Sequence, residues 1–166
     1  MRLIAINGAQ SYSESRHLLM IRGNNMADTK LQKGGCLCGN FKYQFSQSDV
    51  ISAHHCHCTD CQKSTGSGKA TIVMIPDESL VAEGSLKFYT VKGTAGSHIS
   101  RGFCENCGSP VISFVEENSS TKFIKAGSLD DSSWVTAASS FWSSTANTWS
   151  PADKEIHAFT HNPDFA

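Results

Sequence analysis

"HHCHCTDCQKSTGSG", from His54 to Gly68, places three cysteines within six positions, with histidines before and between them. Seven cysteines occur in the 166 residues, and an odd number cannot all pair internally. A Cys-X-Cys element such as Cys56–Cys58 is poor geometry for a direct disulfide. Clustered thiols in a reducing compartment are more simply metal ligands, so a cytoplasmic location is expected. Cys58 and Cys61 also have the spacing of a redox dithiol. Such a dithiol normally opens a helix in alternating βαβ structure, whereas this stretch reads as strand followed by a Gly-rich turn. Metal binding is the favoured reading.

Working outward, the seven thiols divide as four plus three. Cys36 and Cys38 in "GGCLCG" and Cys104 and Cys107 in "CENCG" could complete a closed tetrahedral zinc site. Such a site would clip the start of the domain to a later hairpin and serve folding. Cys56, Cys58 and Cys61 would leave a fourth zinc position open for water or an incoming ligand. An extended chain turns Cys56 and Cys58 to one face, and a turn through Thr59 and Asp60 brings Cys61 back. An incoming thiol suits the open position, because zinc lowers thiol pKa. Up to two zinc ions per chain are expected. His54 shares the cysteine face and is the histidine best placed as fourth ligand or as a partner to the ligands. His55 and His57 are expected to pack or hydrogen-bond. Lys63 and Ser67 could contact an anionic ligand.

The rest of the chain reads as strands. Phe41, Tyr43 and Phe45 alternate in "NFKYQF" and share one face. "VISAHH", "KATIVMI", "LKFYTV", "SHISRGF", "PVISFVE" and "TKFIKAG" follow, separated mostly by Gly, Ser, Asn or Asp. Helix is expected only briefly, in "DESLVAEG" after Pro76 and in "SPADKEIHAF", where Ser150 could cap and Pro151 could open a first turn. "SSFWSSTANTW" reads as a loop pinned by Phe141, Trp142 and Trp149. The expected fold is mainly β, with small antiparallel sheets cross-linked by metal. Residues 31–160 form the domain, 1–30 a flexible N-terminal extension and 161–166 a C-terminal tail. "MADTKLQKGGCLCG" from Met26 reads as a natural start. Residues 1–30 lack the long apolar core of a secretory signal.

Bulk composition excludes little but directs the reading. Fourteen Lys and Arg against fifteen Asp and Glu give a formal charge of -1, so no positive field gathers nucleic acid. No apolar run approaches the roughly 20 residues of a membrane span.

"GGCLCGNFKY", "HCHCTDCQKSTGS", "FCENCGSPVISF" and "KAGSLDD" occur in that order. With these motifs the chain resembles the glutathione-dependent formaldehyde-activating enzyme family, which includes centromere-protein-V-like domains. The resemblance is strong over about 32–131 and continues toward Phe159. It implies an Mss4-like fold and a carbon–sulfur lyase forming or cleaving S-hydroxymethylglutathione, with glutathione and formaldehyde as small-molecule partners. It implies a structural zinc on Cys36, Cys38, Cys104 and Cys107, and a second zinc on Cys56, Cys58 and Cys61. The C-terminal segment departs from the family pattern. Ser140, Phe141 and Trp142 stand where family members often carry "HIF", Ala146 stands for a lysine, and Thr148 stands for a proline before Trp149. Weaker glutathione preference, or a different small thiol, is the expected consequence. His54, Lys63, Ser67, Phe141, Trp142 and Trp149 make up the candidate substrate cleft; no general acid or base is evident. The alternative is a zinc-stabilised binding or structural module without lyase activity. It would show an apolar patch near Phe141 and Trp142 instead of a concave pocket at the second cluster.

Overall fold

The computed structural model describes residues 30–93 and 96–163. The expected extension and tail lie largely outside the described residues, as residues 1–29 and 164–166. Eleven strands are described: β1 (Leu31–Gly35), β2 (Lys42–Ser46), β3 (Ser52–Cys56), β4 (Ala70–Pro76), β5 (Val81–Glu83), β6 (Lys87–Lys92), β7 (His98–Phe103), β8 (Pro110–Val115), β9 (Asn118–Lys125), β10 (Ser139–Phe141) and β11 (His157–Ala158). They form a three-stranded sheet in the order β1-β2-β5 and an eight-stranded sheet in the order β11-β10-β3-β4-β9-β8-β7-β6. Pairing is antiparallel except around β10, which runs parallel to both β3 and β11.

The aromatic alternation near β2 builds one side of the core. Phe41, Tyr43 and Phe45 are buried, and the rings of Tyr43 and Phe45 stack 6.2 Å apart. Ala53, Val73, Ile75, Ile112 and Ile124 of the large sheet belong to the same buried cluster. Side chains alternate across a strand, so the opposite face of the large sheet is equally determined. Between the core residues Val73 and Ile75 stands Met74, and Ile124 stands between Phe123 and Lys125. Ile72, Met74, Phe123 and Lys125 all line a cavity on that opposite face.

Three local expectations are corrected and a fourth, in "DESLVAEG", is met only in its first turn. The turn after Cys58 is a helix, α1 (Thr59–Thr65), closed by Gly66 in the left-handed conformation at φ 65°. Seven residues with no fully buried side chain carry no helical hydrophobic period to detect. "DESLVAEG" gives one 3-10 turn, Asp77–Ser79, and then β5, because Val81, Ala82 and Glu83 pair with the edge of β2. "SPADKEIHAF" forms no helix; it ends in β11, and Phe159 N–H donates to Ser140 O at 2.8 Å. "SSFWSSTANTW" begins as strand β10 instead of loop, and continues into a 3-10 turn, Ser143–Thr145.

Candidate metal and substrate site

The chain reversal after β1 carries Cys36 and Cys38, and the turn between β7 and β8 carries Cys104 and Cys107. Their four sulfurs all lie within 4.8 Å of one another. Cys36 Sγ is 3.6 Å from Cys38 Sγ, which is 3.7 Å from Cys104 Sγ. A disulfide requires about 2 Å. A tetrahedron of sulfurs about 2.3 Å from zinc has edges of roughly 3.8 Å, so the donor set fits that ion. Backbone and hydroxyl donors favour thiolates at Cys36 and Cys107, whereas Cys104, despite the Cys107 N–H, is raised to about 11 by burial and the neighbouring sulfurs. Phe41 N–H donates to Cys36 Sγ at 3.3 Å. The Ser109 hydroxyl, then its N–H, pull the Cys107 thiol down to about 5.

The second cluster forms where β3 ends and α1 begins. Cys56 is the last residue of β3, Cys58 is the N-cap of α1, and Cys61 sits in its first turn. Their sulfurs also lie within 4.8 Å of one another. Cys61 N–H donates to Cys58 Sγ at 3.4 Å. Cys58 is held well below the ordinary thiol range by the thiols of Cys56 and Cys61, by this N–H and by nearby Arg101. Cys56 is pushed up, because its neighbours' sulfurs and burial disfavour a second negative charge. All seven cysteines are free of disulfides. A helix does follow Cys58, as in a redox dithiol, but Cys56 joins as a third thiol and the surrounding sheet is mainly antiparallel. Both clusters could hold a metal ion.

Only the second cluster opens into the large-sheet cavity, whose volume is about 470 Å³. Cys56, Cys58 and Cys61 form one part of its wall, and Ile72, Met74, Ile99, Val115, Phe123 and Phe141 supply apolar surface. Two cations join them. Arg101 on β7 lies 3.4 Å from Asp60 of α1. Lys125 on β9 is buried, and its Nζ donates to Ser113 Oγ at 3.1 Å. Burial lowers the Lys125 pKa, opposed by negative charge on Cys61, Cys56 and Cys58.

The six candidate cleft residues separate in space. Phe141 and Trp142 line the cavity; His54, Lys63, Ser67 and Trp149 are not among its lining residues. His54 stacks on Phe141 with ring centroids 4.4 Å apart. Both its nitrogens are engaged, Nδ1 with Ser139 Oγ at 2.8 Å and Nε2 with Ser52 Oγ at 2.7 Å. It therefore has no nitrogen left for a metal and supports the wall from behind. Lys63 and Ser67 are exposed, and Trp149 lies over Gly68. Ala146 also lies off the lining. Trp142 has a left-handed backbone, φ 59° and ψ 43°, and meets the end of the described chain: its ring packs on His161 and its Nε1–H donates to Asn162 Oδ1 at 2.6 Å.

Sequence reasoning missed Arg101, Asp60 and Lys125 as site residues. The available signal was parity on β9, where Lys125 shares the face of Phe123 and opposes that of Ile124. Using it requires the long-range pairing of Ile72 with Lys125 and of Arg101 with Ser113.

Among the described residues, no helix is long and apolar enough to cross a membrane. A family model described as glutathione-dependent formaldehyde-activating enzyme matches residues 31–145. No curated protein matches the sequence. Among solved structures, the chain is similar to a Rhodobacter sphaeroides protein at 22% identity and a TM-score of 0.47, over 59% of this chain and 87% of that one.

Proposed function

The chain belongs to the glutathione-dependent formaldehyde-activating enzyme family, and on that footing we propose that it is a zinc-dependent carbon–sulfur lyase acting on a small-thiol adduct. S-hydroxymethylglutathione is the leading candidate. Cys36, Cys38, Cys104 and Cys107 are the ligands of a structural zinc. Cys56, Cys58 and Cys61 hold a second zinc, with the fold of an Mss4-like domain around both. The observation that carries this reading is that all three thiols of the second cluster line one cavity of substrate size, together with Arg101 and Lys125, whereas the four-thiol cluster gives only Cys36 to the wall of a separate cavity of about 450 Å³.

Zinc held by three thiolates supplies a Lewis-acid position that keeps an incoming sulfur ionised. The protein's own residues do the rest. The apolar wall from Ile72, Met74, Phe123 and Phe141 excludes water around the reacting atoms. Cys58 and Cys61 are fixed relative to one another by the first turn of α1. Asp60 holds Arg101 toward this side of the cavity. In the forward direction a thiolate sulfur adds to the carbonyl carbon of formaldehyde. The carbon–oxygen π pair moves to oxygen, which takes a proton and leaves a hydroxymethyl thioether. The reverse breaks the carbon–sulfur bond and returns thiolate and formaldehyde.

Exchange spectroscopy on glutathione, formaldehyde and their adduct tests the proposal. Purified protein with measured zinc content should speed exchange above the uncatalysed rate, and Cys58→Ser should abolish the increment. Equal exchange with and without the protein would defeat the lyase assignment for this pair.

A further inference from the structure

The two thiol clusters meet negative charge in different ways. In the four-thiol cluster, backbone N–H groups of Phe41, Ser109 and Cys38 point at sulfurs, and Cys38 is open to solvent. In the three-thiol cluster, the N–H of Cys61 is the one backbone donor given to a sulfur among the described residues. The remaining compensation comes from side chains on the cavity wall. Arg101 is already paired with Asp60. Lys125 is different. It is 7% exposed, its Nζ hydrogen bond goes to the neutral Ser113 hydroxyl, and no carboxylate pairs with it among the described residues. Burying an ammonium without a counter-charge is costly, so its placement demands a reason.

Charge counting supplies one. A dication with three thiolates carries one net negative charge, and a fourth thiolate doubles it. A neutral fourth ligand leaves it unchanged. A buried cation beside the cluster therefore favours an anionic fourth ligand over a neutral one. Lys125 is held beside the cluster by sheet register, because Ile72 pairs with Lys125 on one side and His54, two residues before Cys56, on the other.

We propose that Lys125 is a specificity-determining residue that makes this cavity select its fourth ligand as a thiolate from solution rather than as a neutral donor. The inference rests on reading the cavity as a zinc and thiol site. It extends that reading by naming the counter-charge and by separating thiol selection from metal retention. Removing the ammonium withdraws repulsion from the metal and attraction from the thiolates together, so metal occupancy should change little, whereas the added thiolate loses attraction alone.

Cobalt-substituted protein gives the test, since sulfur-to-cobalt charge transfer and the visible ligand-field bands report each ligand without turnover. Wild-type protein, Lys125→Met and Lys125→Arg are titrated with 2-mercaptoethanol and, separately, with imidazole. Lys125→Met should bind 2-mercaptoethanol about tenfold or more weakly, with imidazole within roughly twofold of wild type. Lys125→Arg should restore most of the thiol affinity. Equal thiol affinity in wild type and Lys125→Met, or equal loss for both ligands, overturns the inference. Should Lys125→Met fail to fold or hold the second metal, Lys125→Gln is titrated in its place. If neither variant holds the metal, Lys125 serves the fold or the metal itself and the inference fails. Absence of any 2-mercaptoethanol binding to wild-type protein defeats the proposed function and this inference together; thiol binding indifferent to Lys125 defeats the inference alone.

Discussion

The Cys61 backbone N–H donates to the Cys58 sulfur at 3.4 Å, so one candidate metal ligand caps the helix that carries another. Serine is a good N-cap and alanine a poor one. Replacement of Cys58 by serine should therefore remove the second metal while leaving α1 capped. Replacement by alanine should remove the metal and cost a further 0.5–2 kcal/mol or so. Metal analysis and chemical denaturation of both variants in chelator, with the second metal absent throughout, isolate the cap. Equal stability of the two variants would show that the sulfur contact does nothing for the helix.

This double role also explains what was legible in the sequence. Cys-X-Cys and Cys-X-X-Cys spacings bring thiols together through short local turns, so the four-and-three grouping can be seen without the fold. The alternation of Phe41, Tyr43 and Phe45 is local as well, and it marks a core face. Helix α1 was hidden because it is short and its start is set by a sulfur cap, not by an apolar stripe. Lys125 and Arg101 were hidden because only the β4-β9-β8-β7 pairing carries them to the cavity. Residues 150–159 misled in the opposite sense. Their Ser-Pro-X-Asp start suits a helix, but backbone pairing of Phe159 with Ser140 draws the segment onto the sheet edge instead.

Gly34 allows the two sheets to close on each other. A Cβ at this position would overlap the Ser128 carbonyl oxygen and the Tyr43 hydroxyl. The first is backbone of the tight turn after β9, and the second is buried, so neither can yield cheaply. Gly34→Ala should cost about 1–3 kcal/mol. Urea unfolding at constant zinc measures it, and an unchanged midpoint would contradict the close approach.

Trp142 lines the cavity with a backbone that L side chains adopt reluctantly. Replacing it with alanine or glycine removes the same ring contacts with His161 and the same hydrogen bond to Asn162. Only glycine also relieves the left-handed conformation. Trp142→Gly should therefore be more stable than Trp142→Ala by about 1 kcal/mol. Thermal unfolding of the pair checks this; an alanine variant as stable as the glycine one would argue against a left-handed residue here.

Tyr43 gives the fold a dependence on alkaline pH. Burial raises its phenol above the ordinary value of 10.0, against the lowering effect of Ser128. For an acid whose folded pKa is raised, the contribution is fully present below the unfolded value. It is lost as pH rises from about 10 toward the folded value, because the unfolded chain ionises first. Tyr43→Phe should be about 0.5–1.5 kcal/mol less stable near neutrality through loss of the 2.8 Å hydrogen bond to Ser128 Oγ. That deficit should shrink above pH 10. A deficit that stays constant to pH 11 would mean that Tyr43 ionises as readily in the folded protein as in the unfolded one.

The two clusters should release metal in a fixed order, with different consequences. The four-thiol cluster joins the turn after β1 to the turn after β7, which are far apart in sequence, and Cys36 and Cys104 belong to the buried core. Loss of its metal leaves thiols in that core without a partner and frees two chain segments at once. The three-thiol cluster spans six residues at the end of β3 and opens into the cavity. Departure of that ion unties nothing distant, because its three ligands are close in sequence. Under reducing conditions, a chelator titration should therefore remove one zinc early with the fold retained. The second should leave only as the protein unfolds, which simultaneous zinc release and circular dichroism would record. Cys104→Ser should prevent stable folding, whereas Cys58→Ser should yield a folded protein with one zinc. Release of both ions in a single step, or a well-folded Cys104→Ser protein, would remove the distinction between a metal that holds the fold and one that serves the cavity.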